Sequence, residues 1–327
     1  MHHLHVLVRK PLIGLLLVLI GASSVQAATS RSDALRAKLQ DPDKGVFVVA
    51  HRGCHNPAPT HQLGAAPENS ALALAHCVAL GVDMMELDVR RTKDGVLVIV
   101  HDETVDRTTD GHGRVADLTL AQLKALRLRD NLGGAMSPTL TDQRMLTLDE
   151  ALELARGRIL LNLDIKEEIY PEVIAAARAA GMGEDVLVKK LVADDRPPLA
   201  DQAPFDGAPF MPMIGRWAAS PLPADVSGVI TRQAEGRHRA VGVEMVYLTP
   251  AEAAQAVETA RRLKIRRWAN TITAVGVVSV VGVGGDIESL RAGGSAWREL
   301  LAQGFDTFQT DEPGLLIDFL RATGRRR

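Results

Sequence analysis

The chain's 327 residues are enough for one large α/β barrel or two ordinary domains, and 46% of them are hydrophobic, as in a globular protein. Its 38 basic and 40 acidic residues nearly balance, which argues against a nucleic-acid partner. No segment reaches the roughly 18 consecutive apolar residues of a membrane span.

Residues 1–27 have the form of an export signal. Arg9 and Lys10 precede an apolar run at 12–20, and small residues then lead to Val25-Gln26-Ala27, an acceptable cleavage pattern. A short membrane anchor is the alternative, but the run is brief, and no cysteine follows it to carry a lipoprotein anchor. Cleavage near Ala27 takes the formal charge from −2 to −4, by removing Arg9 and Lys10, and predicts a periplasmic or secreted protein. A lead-in over 28–45 precedes the fold.

The first strand-like run, 46–50, delivers His51 and Arg52 into Gly53, a Pro-rich loop and the helix start Pro67-Glu68-Asn69-Ser70. Glu68 and Asn69 can supply charge and a cap to that helix. Cys54 lies in the loop and Cys77 on the helix. A disulfide between them and a buried free thiol both fit.

Next come runs at 84–89 and 96–100, too close together to hold a crossover helix. Asp94-Gly95 between them is a two-residue hairpin signal, which pairs Lys93 with Val96 and sets Asp88 opposite His101. In that register Glu86, Asp88 and His101 project to one side. The run 159–165 adds Asp164, with Lys166 just beyond it on the same face of a strand otherwise buried on both sides.

Further runs follow at 186–188, 210–214, 241–246, 265–269 and 305–309, with helical stretches between them. A Pro- and Asp-rich surface loop occupies 193–209. A Gly-rich apolar stretch after the 265–269 run lacks the Lys and Ser/Thr of a phosphate loop and reads as a long loop at the barrel mouth. The alternation predicts a (β/α)8 TIM-like barrel over 46–321, with the early hairpin as an irregularity that accounts for the ninth run. A short basic tail, 322–327, ends the chain.

His51, Glu86, Asp88, Asp164 and Lys166 lie at or near the ends of such runs, where barrel sites assemble. Three carboxylates without cysteine suit Ca²⁺ or Mg²⁺ better than zinc. With a divalent cation, Arg52 and Lys166 added, the set carries one net positive charge, complementary to a phosphodiester. The fork of Arg52 suits a phosphate oxygen. Two imidazoles with pKa values near 6.5 can serve as base and acid.

The stretches "HRG", "PENS", "ELDV", "TKDG", "HDETVDRTTDGHG" and "LDIK" resemble, in order and spacing, the glycerophosphodiester phosphodiesterases. These belong to the TIM-barrel phosphodiesterase superfamily that includes phosphatidylinositol-specific phospholipase C. "RRWANT" and "FQTDEP" look like that family's last two strand motifs. The resemblance implies that His51 and His101 are the acid/base pair, that Arg52 holds phosphate and that Lys166 gives electrostatic support to the substrate. It makes Glu86 and Asp88 ligands of one divalent cation, Ca²⁺ ahead of Mg²⁺, with Asp164 as third ligand and Glu68 as a supporting partner.

The implied partner is a small phosphodiester, with transient lipid contact and no nucleic acid. Two departures stand out. Many members carry Glu at the position of Asp164, and "CHNPAPTHQLGAA" lengthens the first loop. The rival activities are a lysophospholipase D or a sphingomyelinase D-like enzyme, with the 274–285 loop taking acyl chains. The non-enzymatic rival is an exported binding protein for phosphorylated ligands, which would need a cation and Arg52 but not two histidines.

Overall fold

The computed structural model describes residues 1–2, 30–192, 197–216, 222–273 and 276–326. The apolar run and cleavage pattern of the export-signal reading lie outside the described residues. Among the described residues no helix is long and apolar enough to cross a membrane.

Among the described residues nine strands form one sheet: β1 Phe47–Ala50, β2 Met84–Arg91, β3 Leu97–Ile99, β4 Leu160–Ile165, β5 Val186–Leu191, β6 Phe210–Gly215, β7 Gly242–Val246, β8 Arg266–Asn270 and β9 Thr307–Thr310. β1 pairs in parallel with both β2 and β9, so eight parallel strands close into a barrel, and β3 hangs antiparallel on β2. The expected (β/α)8 barrel with its early hairpin is therefore the observed fold. Local sequence sets the helices between strands. Ser70 caps Ala71–Leu80, which ends at Gly81 with φ +79°, and Thr249 with Glu252 forms a capping box at the start of Pro250–Arg262.

The hairpin register differs from the expected one by a residue. Val89 pairs with Ile99, Arg90 with Val98 and Arg91 with Leu97, and Thr92 N–H donates to Val96 O. The loop is thus three residues, Lys93-Asp94-Gly95, with Gly95 at φ +85°, the length at which a left-handed glycine closes the turn. Thr92 Oγ1 accepts from Val96 N–H and donates to Asp94, which fixes the longer turn. Asp88 consequently faces Val100, whose N–H donates to its carbonyl at 2.9 Å, and not His101. His101 lies past the end of β3, so the chain's exit from the strand, not strand alternation, decides its direction.

The bore is apolar at its lower end, where Phe47, Val49, Met84, Leu160, Leu187, Met211 and Trp268 pack together. The lead-in supplies the plug: helix Arg31–Leu39 inserts Leu35 and Leu39 into this cluster. Arg266, fully buried, donates to the carbonyls of Lys38, Asp41 and Gly45 and holds the plug's end. The C-terminal residues are tied down as well, with Arg326 paired to Asp83. A Cys54–Cys77 disulfide settles the alternatives left by the sequence. It closes a loop with sequence separation 23, a constraint worth about 3 kcal/mol by chain entropy.

Candidate active site

The site sits at the carboxyl ends of the strands. After β1 the chain leaves through Arg52 and Gly53 in left-handed backbone, at φ +53° and +87°. At φ +87° a side chain is strained, and a Cβ at position 53 would also lie 2.9 Å from Ala73 Cβ, so glycine suits this turn. Arg52 in that region costs on the order of 1 kcal/mol. Its amide offsets the strain by donating to Glu86 Oε2 at 2.7 Å.

Strand register assembles the carboxylates. β2 and β4 pair Glu86 with Asn162 and Asp88 with Asp164, so Asp88 and Asp164 stand side by side with Glu86 two residues behind on the same face. One oxygen from each comes within 4.8 Å of the others. Lys166 Nζ lies 2.9 Å from Asp88 and 2.6 Å from Asp164. Arg52 is 3.7 Å from Asp88 and 3.4 Å from Glu68. Asn69, at φ +57°, donates to Asp88 Oδ2 at 2.7 Å, and it is Ser70 that caps the following helix. The capping role read for Asn69 is thereby corrected: its amide turns inward because Asp88 is a charged acceptor.

Burial, then the charges of Asp88 and Asp164, hold the Glu86 carboxyl well above its usual range. Burial also opposes ionisation of Asp88, but Lys166, Arg52 and His101 outweigh it and keep that carboxyl well below its usual range. Lys166 is raised in turn: burial works against its charge, and Asp88 and Asp164 more than offset that. Two buried carboxylates and a half-exposed third, all oxygen donors, fit a hard divalent cation, and Asp88 Oδ1 has no hydrogen bond of its own beside the Lys166 contact.

The two histidines share one arrangement. His51 Nδ1 lies 2.7 Å from Asp311 Oδ1, and His101 Nδ1 lies 2.7 Å from Asp102 Oδ1. A carboxylate at Nδ1 fixes the tautomer that leaves Nε2 as the second, working nitrogen. Asp311 is itself held by Thr273, whose N–H and hydroxyl donate to Oδ2 at 2.8 and 2.7 Å, and His55, fully buried, lies 3.3 Å from Oδ1. Burial would raise the Asp311 carboxyl, yet His51 and His55 hold it well below its usual range. Burial lowers the His51 pKa, and Asp311 offsets part of that. On the other side Arg107 donates to Asp102 at 2.7 Å and to Glu68 at 2.7 and 2.8 Å. Arg52, Glu68, Arg107, Asp102 and His101 thus form one chain of contacts.

All eight sequence candidates, His51, Arg52, Glu68, Glu86, Asp88, His101, Asp164 and Lys166, belong to this one connected region. Sequence reading missed Asp102, Arg107, His55 and Asp311. The signal for Asp311 was its position: it directly follows the last strand, β1 and β9 are neighbours in a closed barrel, and so it comes out beside His51.

A TIM barrel that sets two carboxylate-held imidazoles beside a three-carboxylate cluster and a guanidinium is built for acid–base chemistry on an anionic ligand. The family model described as the Glycerophosphoryl diester phosphodiesterase family matches residues 51–196, so the resemblance carried by the motifs holds over the stretch that contains all eight candidates and also Asp102 and Arg107. A glycerophosphodiester phosphodiesterase of Caldanaerobacter subterraneus is 38% identical over 149 residues, 43% of this chain and 56% of that protein. The chain spans about half the length of the curated relatives it matches. Among solved structures, a glycerophosphoryl diester phosphodiesterase of Parabacteroides distasonis superposes with TM-score 0.65 at 21% identity, covering 90% of this chain and 93% of that one. A phosphodiesterase of Oleispira antarctica in complex with the product sn-glycerol-3-phosphate gives 0.57 at 20%, covering 85% and 98%. At such identities the superpositions establish the fold.

Proposed function

We propose that the protein hydrolyses glycerophosphodiesters to glycerol 3-phosphate and an alcohol. The carrying observation is the pair of imidazoles, each held at Nδ1 by a carboxylate 2.7 Å away. A binding protein for phosphorylated ligands has no use for two such groups. The family match over 51–196 and the product named for the Oleispira enzyme support the same reading.

In this reading one histidine takes the proton from the attacking oxygen and the other gives one to the departing alkoxide. Arg52 holds phosphate oxygens, its position fixed by Glu68 and Glu86. Lys166 balances the carboxylates. Glu86, Asp88 and Asp164 would hold a divalent cation, Ca²⁺ ahead of Mg²⁺, which when bound supplies further stabilisation of charge on phosphorus.

The lysophospholipase D and sphingomyelinase D-like readings need an apolar surface for acyl chains. In the described part of that loop Val277 and Val280 are buried, and Val281 is the one large apolar side chain that is exposed, at 52%. Initial rates on glycerophosphocholine and on lysophosphatidylcholine at equal concentration separate these readings. We expect the first to be faster by at least about tenfold; a preference for the lysolipid would reverse the assignment.

Export after cleavage near Ala27 belongs to the same proposal, and the Cys54–Cys77 bridge favours it, because disulfides persist in oxidising compartments. Intact-mass measurement of the protein recovered outside the cytoplasm should show a chain starting at residue 28. A full-length mass in that fraction would refute cleavage.

A further inference from the structure

The stretch that lengthens the first loop brings a third histidine to the acid–base machinery. Its second residue, His55, is fully buried and reaches the carboxylate that holds His51. Contacts on both flanks place it there. One residue before, the Cys54–Cys77 bridge ties the chain to helix Ala71–Leu80, and Ala66 N–H donates to the His55 carbonyl at 3.0 Å. One residue after, Asn56 Nδ2 donates to Asp311 O at 3.1 Å and to Glu312 Oε1 at 2.8 Å.

Asp311 Oδ1 therefore serves two imidazoles, His51 Nδ1 at 2.7 Å and His55 Nε2 at 3.3 Å, while Oδ2 accepts from the N–H and hydroxyl of Thr273. His55 Nδ1 is buried with no hydrogen-bond partner among the described residues. A proton there would be an orphaned donor and would leave Nε2 presenting a lone pair to a carboxylate, so the geometry selects the tautomer with its proton on Nε2. His55 is thus a second N–H donor to the oxygen that holds His51. When His51 takes a proton, its Nδ1–H becomes a cationic donor, and Oδ1 stabilises it with whatever charge the other donor has not drawn.

Other charged and titratable groups face this pair from several elements. Arg52 after β1 and Asp88 on β2 act on His51 in opposite senses. Glu312 faces His55, and burial pushes its carboxyl up to about 7. Asp286, which opens helix Asp286–Arg291, accepts from Asp311 N–H at 2.9 Å and from the Thr310 hydroxyl at 2.8 Å, and burial pushes it up to about 7 as well.

We propose that His55 is a positioning residue for the acid–base pair: by sharing Asp311 Oδ1 it limits that carboxylate's hold on His51 and lets the His51 imidazole give up its proton more readily. This rests on the function proposed above and adds how the pH range of that activity is set.

The test is a proton–carbon NMR titration of the full chain labelled at histidine Cε1, with the His51 signal identified by its loss in His51→Ala. That signal reports His51 itself and not the ionisation of Glu312 or Asp286. In His55→Phe, and in His55→Leu should the aromatic ring not fit, the His51 midpoint should rise by about 0.5 to 1 pH unit, what one neutral hydrogen bond is worth. His55→Gln, whose amide can put an N–H at the place of Nε2, should stay near the wild type. The limb of the kcat/KM profile set by His51 should move with the midpoint, in the direction opposite to that of Asp311→Asn. A midpoint that stays or falls in folded His55→Phe or His55→Leu, or one that rises as far in His55→Gln, would overturn the role of His55 and leave the proposed activity standing. The expected shift in a chain that does not hydrolyse glycerophosphocholine would overturn the proposed activity and leave the sharing of Asp311 intact.

Discussion

Replacing His51 with alanine is expected to lower kcat by about 10²- to 10⁴-fold, and His101→Ala by a similar factor, the usual contribution of a positioned acid or base. The pH profile of kcat/KM sharpens the assignment. Burial lowers the His51 pKa below its ordinary 6.5, with Asp311 pulling it partly back. If His51 works as the base it must be neutral, so activity should fall only when pH drops below about 6.5. Asp311→Asn removes the group that favours the imidazolium, so this acid limb should move further toward low pH while kcat falls, because the tautomer is no longer held. Steady-state kinetics across pH 4–10 on folded variants checks both. Either alanine variant keeping more than half of wild-type turnover would make that histidine structural.

Chelation should abolish turnover, and added Ca²⁺ or Mg²⁺ should restore it. The reason is electrostatic: Glu86 and Asp88 are buried together with Asp164 beside them, and burial, then the like charges of Asp88 and Asp164, raise the Glu86 carboxyl even with Lys166 in place. A divalent cation relieves that repulsion. Calorimetry should show one cation bound by the wild type, and binding weakened by at least about tenfold in Asp164→Ala, since a ligand set of three loses one of its charges. Full activity in excess EDTA would remove the cation from the account.

Much of this site was legible because its residues lie in strands. Alternation and parallel pairing put Glu86, Asp88 and Asp164 on one face, and apolar runs of strand length place His51 and Asp164 near the carboxyl ends. The two-residue turn expected between β2 and β3 sets His101 opposite Asp88, whereas the observed register is shifted by one and His101 lies past the end of β3. Asp94-Gly95 reads as a two-residue turn, whereas Thr92's hydroxyl bridges to Val96 and Asp94 and draws Lys93 into the loop. Nothing in the local pattern separates those turns, because each places a glycine at positive φ. Asp311 and Arg107 were missed for another reason: their partners are 260 and 39 residues away in sequence, and only barrel closure and the loop after β3 bring them in.

The proposed reaction cleaves a glycerophosphodiester on the alcohol side of phosphorus. Phosphorus NMR of glycerophosphocholine incubated with the protein and Ca²⁺ tests it in one spectrum. The diester resonance should be replaced by that of glycerol 3-phosphate, at a rate that collapses in His51→Ala. A diester signal that persists unchanged, or that gives way to phosphocholine, would contradict it.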